Sequence, residues 1–169
     1  GFYVADMTEQ DMLEVLTVGE GLERLALKLV NGRVPDHILH EMEAAVDRAA
    51  AEVEAGNFEA YVLSDLEFHR LIVRISGNRL LQSIYEQAMT RSQIRYVFHP
   101  RLGEASRTSI AQHREFIRIL AEGDLAASDR ALGEHWTGSR GRMLASHRAF
   151  EASVQGAASQ NVQSSAVEG

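Results

Sequence analysis

Residues 63–81 read LSDLEFHRLIVRISGNRLL, and their apolar positions recur at helical rather than strand-like spacing. A helical wheel turns about 100° per residue. On it, Val62, Leu66, Phe68, Ile72, Val73 and Ile75 form a wide apolar arc, with Glu67, Arg70 and Arg74 opposite. Asp65 and His69 fall inside that arc, about 40° apart. Their i,i+4 spacing lets both side chains reach one point in space. A helix with so broad an apolar surface is bound for the core of a bundle. A carboxylate carried into that core demands a partner, because an unpaired buried charge is costly.

The same period runs outward in both directions. Helices are expected over Glu9–Asn31, stopped by Gly32; Pro35–Ala55, stopped by Gly56; and Phe58–Ser76, stopped by Gly77. Three more follow: Arg79–Phe98, ended before Pro100; Glu104–Ala121, closed by Gly123; and one running from an Asp124 N-cap to about Val154. Connections are short, so the fold class is all-α, an antiparallel bundle of six to seven helices. From Gln155 the chain is small and polar, and residues 155–169 read as a frayed tail.

A chain of 169 residues can build one domain with a real core. Its formal net charge of −7 argues against gripping nucleic acid by itself, since phosphate contacts need a basic surface. Cysteine is absent, which excludes disulfides and thiolate metal sites and fits a cytoplasmic protein. No apolar run approaches the length of a membrane span.

The helix before Gly123 repeats the oddity. Ile110, Phe116, Ile117 and Leu120 define its apolar arc, and His113 sits near the middle. In the last helix Leu125, Leu132, Trp136 and Met143 make the stripe, with His135 at its edge. One carboxylate and three imidazoles thus point inward from three helices. Two readings stand. One is a hydrogen-bonded Asp–His pair beside two unrelated core histidines. The other is a divalent transition metal held by Asp65, His69, His113 and His135, which would satisfy all four groups at once.

In the fourth helix, Leu80, Leu81, Ile84, Ala88 and Phe98 mark the expected inner face. Arg91 and Arg95 share that face, with Ser92 and Tyr96 beside them. The arginines either snorkel and pair with Glu20, Glu23 or Glu86, or form a clamp for a carboxylate or phosphate. His37 and His40 lie on a charged, solvated face. His99 and His147 carry no assigned role.

D-x3-H at Asp65–His69, the "SGN" that follows, and "QHREFIRILAEGDLAASDRALGEHW" over Gln112–Trp136 resemble the FCD effector domain of GntR-type bacterial transcription regulators. The resemblance covers about Asp11 to Arg148, and residues 11–154 form the implied ligand-binding bundle. It implies an all-helical bundle that follows a winged helix-turn-helix domain. "GFYVADMTEQDMLEV" looks like the end of that wing and its linker, placed at residues 1–10. In metal-containing members the positions matching Asp65, His69, His113 and His135 are ligands, and such imidazole and carboxylate donors suit zinc, nickel, manganese or iron, with zinc or nickel favoured. Their effectors are small organic acids. Many members have E-V-R in the first helix, whereas this chain has Glu14-Val15-Leu16, so the anchor either comes from elsewhere, with Arg91, Ser92 and Arg95 the candidates, or is absent. A cation held by one carboxylate and three neutral imidazoles leaves a local charge of about +1, suited to an anion. The resemblance also implies a homodimer that reaches DNA through its other domain.

A metalloenzyme is the competing class, since a metal with open positions can activate water. No carboxylate stands out as a general base, and neither E-x-x-H nor H-E-x-x-H occurs in the chain.

Overall fold

A computed structural model describes the backbone of residues 8–96 and 102–167, and the side chains of residues 8–89, 105–145, 147–149 and 152. Among the described residues there are six helices and no strand: α1 (Glu9–Leu29), α2 (Asp36–Glu54), α3 (Phe58–Arg74), α4 (Arg79–Tyr96), α5 (Leu102–Glu122) and α6 (Leu125–Val167). None is long and apolar enough to cross a membrane.

Local chemistry sets the ends. Thr8 opens α1 with a capping box: its side chain accepts from the Asp11 amide, while the Asp11 carboxylate accepts from the Thr8 backbone. The Asn57 side chain accepts from the Ala60 amide at the start of α3, Asn78 from Leu81 at the start of α4, and Asp124 from Ala127 at the start of α6. The "SGN" motif is therefore one helix stop followed at once by the next helix's cap.

Consecutive helices fold back through these short turns, so α2 packs on α3, α3 on α4 and α5 on α6. α1 lies against α3, α4 and α6, and α2 also packs on α5. The larger core cluster includes Leu16, Leu27, Met42, Val46, Phe68, Ile72, Phe116, Leu120, Leu132 and Trp136. A second holds Ala26, Leu66, Val73, Leu81, Tyr85 and Met89, where α1, α3 and α4 meet.

Gly32 ends α1 at φ 72°, a conformation that costs a side chain about 1–3 kcal/mol. A Cβ there would also lie 2.9 Å from the Leu125 backbone nitrogen, which has no flexible end to move aside. Gly56 has nearly the same φ, 71°, but open space around it. Gly32→Ala is therefore expected to destabilise by more than Gly56→Ala, which carries the conformational cost alone. Urea unfolding of the two variants checks this; equal losses would mean that the turn does not press on α6.

Two sequence expectations are corrected. Of the expected inner face of α4, Leu81 is buried and Ala88 packs on the core, but Leu80 and Ile84 are 70% and 42% exposed, and Tyr85 and Met89 take the buried positions. Apolar residues flank both sides of this helix, and an isolated wheel does not choose between them. The buried side packs on Ala26, Leu66 and Val73, and brings the Tyr85 hydroxyl to a buried acceptor. The last helix also continues past Val154 to Val167. No proline interrupts "VQGAASQNVQSSAV", and its alanines and glutamines favour helix continuation. Phe98 lies outside the described residues.

Candidate metal centre

α3, α5 and α6 bring His69, His113 and His135 together inside the bundle. All three are buried, at 7%, 1% and 5% exposure. One nitrogen from each ring lies within 4.8 Å of the other two. The Nε2 atoms of His113 and His135 are 3.3 Å apart. Two imidazole nitrogens on one tetrahedral zinc would be separated by about 3.3–3.4 Å, given Zn–N distances near 2.0–2.1 Å.

Each ring is held differently. His69 Nδ1 contacts Glu23 Oε1 at 3.1 Å. His135 Nδ1 contacts Gln112 Oε1 at 3.2 Å, and Arg142 donates to the same oxygen at 3.4 Å. His113 stacks on Phe68 with ring centroids 4.0 Å apart. Its Nδ1 is buried and has no hydrogen-bond partner. An orphaned buried nitrogen costs about 1–3 kcal/mol.

Asp65 reaches the edge of this group. Its Oδ1 lies 3.6 Å from His113 Nδ1 and accepts from the Tyr61 hydroxyl at 3.2 Å and the Ser109 hydroxyl at 3.5 Å. These contacts all fall on Oδ1, leaving Oδ2 without a protein partner among the described residues. The side chain keeps 27% exposure, so the carboxylate sits at the wall of the site and not among the three clustered nitrogens.

The protonation tendencies of His113 and His135 suit metal ligands, while those of His69 and Asp65 run the other way without a metal. Burial holds His113 well below the usual imidazole range, with His135, His69 and Arg142 adding to the effect. Burial does the same to His135, helped by His69 and Arg142. Both rings are therefore neutral at pH 7, the state that coordinates metal. Burial also works against charge on His69, but Glu23 and Asp65 outweigh it and raise the ring. Burial pushes the Asp65 carboxyl up, against the pull of His69, Tyr61 and Ser109. Three nitrogen donors and an edge carboxylate together fit a divalent transition metal.

Sequence reading did not single out Glu23 as a site residue. It is fully buried and sits where three helices meet α1, accepting from Tyr85 Oη at 2.7 Å and Trp136 Nε1 at 2.8 Å besides its contact with His69. A signal was present: Glu23 lies on the buried stripe of Leu16, Gly19 and Leu27, a carboxylate among apolar positions like Asp65. The side chains of Arg91, Ser92 and Arg95 lie outside the described residues. Glu20 pairs with Arg24 and Arg140, and Glu86 with Arg70.

Among solved structures this chain is similar to the metal-free FCD domain of TM0439, a candidate transcriptional regulator. The two share 22% identity with a TM-score of 0.69, over 86% of this chain and 99% of that one. No curated protein matches. The model of the FCD domain matches residues 14–138, a span that contains all three histidines, Asp65 and Glu23, and the chain belongs to the FCD domain family.

Proposed function

We propose that this chain is the effector-sensing and dimerisation domain of a GntR-type transcription regulator, and not an enzyme. In this reading His69, His113 and His135, with Asp65 as fourth ligand, hold a divalent metal, zinc or nickel foremost. A small organic acid binds beside it. The observation that carries the reading is the convergence of three buried imidazoles from three helices, with a nitrogen of each within 4.8 Å of the others. A bound divalent cation would supply a Lewis-acidic point with free positions for a carboxylate. The chain's own part is to keep His113 and His135 neutral and to place Asp65 at the wall. Arg91, Ser92 and Arg95 are the proposed contacts for the rest of the acid.

A net charge of −7 leaves DNA contact to a separate winged helix-turn-helix domain in a cytoplasmic homodimer. An effector can move that domain only by binding one arrangement of the bundle more tightly than another. The convergence of α1, α3, α4 and α6 on Glu23 gives such a change a physical route to α1, the first described helix.

The test is a thermal-shift screen of small carboxylic acids with and without chelator. A ligand present at about 100 times its Kd adds about 2.7 kcal/mol, or about 5–10 °C in a domain of this size. The expected result is a hit of that order that chelator abolishes. Protein purified without a His tag that holds less than about one tenth of an equivalent of metal, unchanged in His113→Ala, would end the metal part of the reading. Turnover of the acid by the metal-loaded protein would replace the sensor with an enzyme.

A further inference from the structure

We infer that Glu23 is the positioning residue of this centre: its buried carboxylate fixes His69 with the proton on Nδ1, leaving Nε2 as the nitrogen offered to the metal. The inference rests on the metal reading above and adds a residue outside the ligand set.

Glu23 has no solvent exposure and meets three donors on three different helices. Trp136 Nε1–H can only donate, so Oε2 must accept. Oε1 takes the Tyr85 hydroxyl and His69 Nδ1. An ionised carboxylate is acceptor-only and matches this set of donors. Tyr85 and Trp136 would by themselves satisfy one bond per oxygen. The third contact is instead made to His69, a ring with one nitrogen within 4.8 Å of nitrogens of His113 and His135, and with Nδ1 held by Glu23 it is Nε2 that remains for a metal. A carboxylate behind a ligating histidine fixes its tautomer and orientation and raises its basicity.

His135 is treated in parallel. Its Nδ1 meets Gln112 Oε1, and Arg142, which can only donate, identifies that atom as the oxygen. Two of the three rings therefore have Nδ1 engaged by an acceptor, and His135 turns its Nε2 toward His113 Nε2. A helix staple of buried polar groups would account for Tyr85 and Trp136. It does not account for the same Nδ1 arrangement on two histidines that converge on one point.

The variants are Glu23→Gln and Tyr85→Phe. The amide of Glu23→Gln keeps one acceptor oxygen, and its NH2 cannot accept from His69 or Trp136. Tyr85→Phe removes a donor to Glu23 but leaves the His69 contact in place. Competition titration against a chromophoric chelator is expected to show zinc binding weakened about 10–100-fold in Glu23→Gln, and changed by less than about threefold in Tyr85→Phe. The visible bands of the cobalt-substituted protein should shift in the first variant and not in the second. Wild-type zinc affinity in a folded Glu23→Gln, or equal losses in both variants, would overturn the inference.

If Glu23→Gln does not fold, long-range 1H–15N spectra of histidine-labelled wild type decide the question, zinc-loaded or metal-free at alkaline pH. A proton on His69 Nδ1 with Nε2 bare supports the inference, and the reverse overturns it. Wild type that takes up no zinc defeats the metal reading, while these spectra still judge the role of Glu23.

Discussion

His113→Ala is expected to lower bound zinc from about one equivalent to less than about one tenth, and to erase any metal-dependent rise in Tm. His113 is the ring whose Nε2 lies 3.3 Å from His135 Nε2 and whose Nδ1 has no hydrogen-bond partner. In metal-free protein the effect is smaller and mixed. Truncation opens a cavity beside Phe68, but it also removes the orphaned nitrogen. The net cost should be about 1–3 kcal/mol.

The pH dependence follows from the lowered imidazoles. An unfolded histidine takes up its proton near pH 6.5, whereas buried His113 and His135 do so only at lower pH. Between those points the unfolded chain binds more protons, so stability falls as pH drops below about 6.5. His69 acts in the opposite sense. Although burial disfavours its charge, Glu23 raises it, so its contribution is complete below about pH 6.5 and is lost as pH rises through its folded value. The Asp65 carboxyl, raised by burial, acts in the same sense as His69, so two groups oppose two and the test is the difference between proteins: on acidification metal-free His113→Ala should lose less stability than wild type. Urea unfolding of both proteins at about pH 7.5 and 5.5 checks this. An equal loss in both would show that His113 is not held neutral by the fold.

Phe68→Ala is expected to cost about 3–5 kcal/mol, the largest loss of stability among these substitutions. The ring is 1% exposed, stacks on His113 and meets Phe116 edge-on at 6.2 Å. It belongs to the main core and forms one wall of the candidate centre. Phe68→Leu conserves most of the volume and should cost less than about 1.5 kcal/mol. It still removes the flat face against His113. If stacking orients that ring, zinc affinity will fall in Phe68→Leu by more than its stability loss suggests. Unchanged affinity would assign Phe68 to the core alone.

Much of the fold was legible because its punctuation is local. Gly32, Gly56, Gly77 and Gly123 stand at the ends of helices where they were expected, all at positive φ. The expected helices overlap the observed ones to within a few residues, apart from the extension of α6. The three histidines were legible for a related reason: a polar residue on an apolar arc is visible on a wheel without knowledge of its neighbours. Their meeting point was not, because it depends on how α3, α5 and α6 are placed. Glu23 was passed over as a site residue since its partners are 46, 62 and 113 residues away in sequence. The side of α4 that takes Tyr85 and Met89 was hidden for the same reason, since it packs on Ala26, Leu66 and Val73 and brings Tyr85 to Glu23.

Those separations give Glu23 a place in the order of folding. Its carboxylate cannot be fully served until α3, α4 and α6 have all docked on α1. A chain that has collapsed without α6 must leave Oε2 in water or bury it bare, and burying it bare is heavily penalised. Partly assembled bundles are thereby kept open at their centre, while the complete one closes. Contacts of such long range also slow the search for the native state. One acidic side chain thus penalises premature collapse and makes assembly of the whole bundle more cooperative.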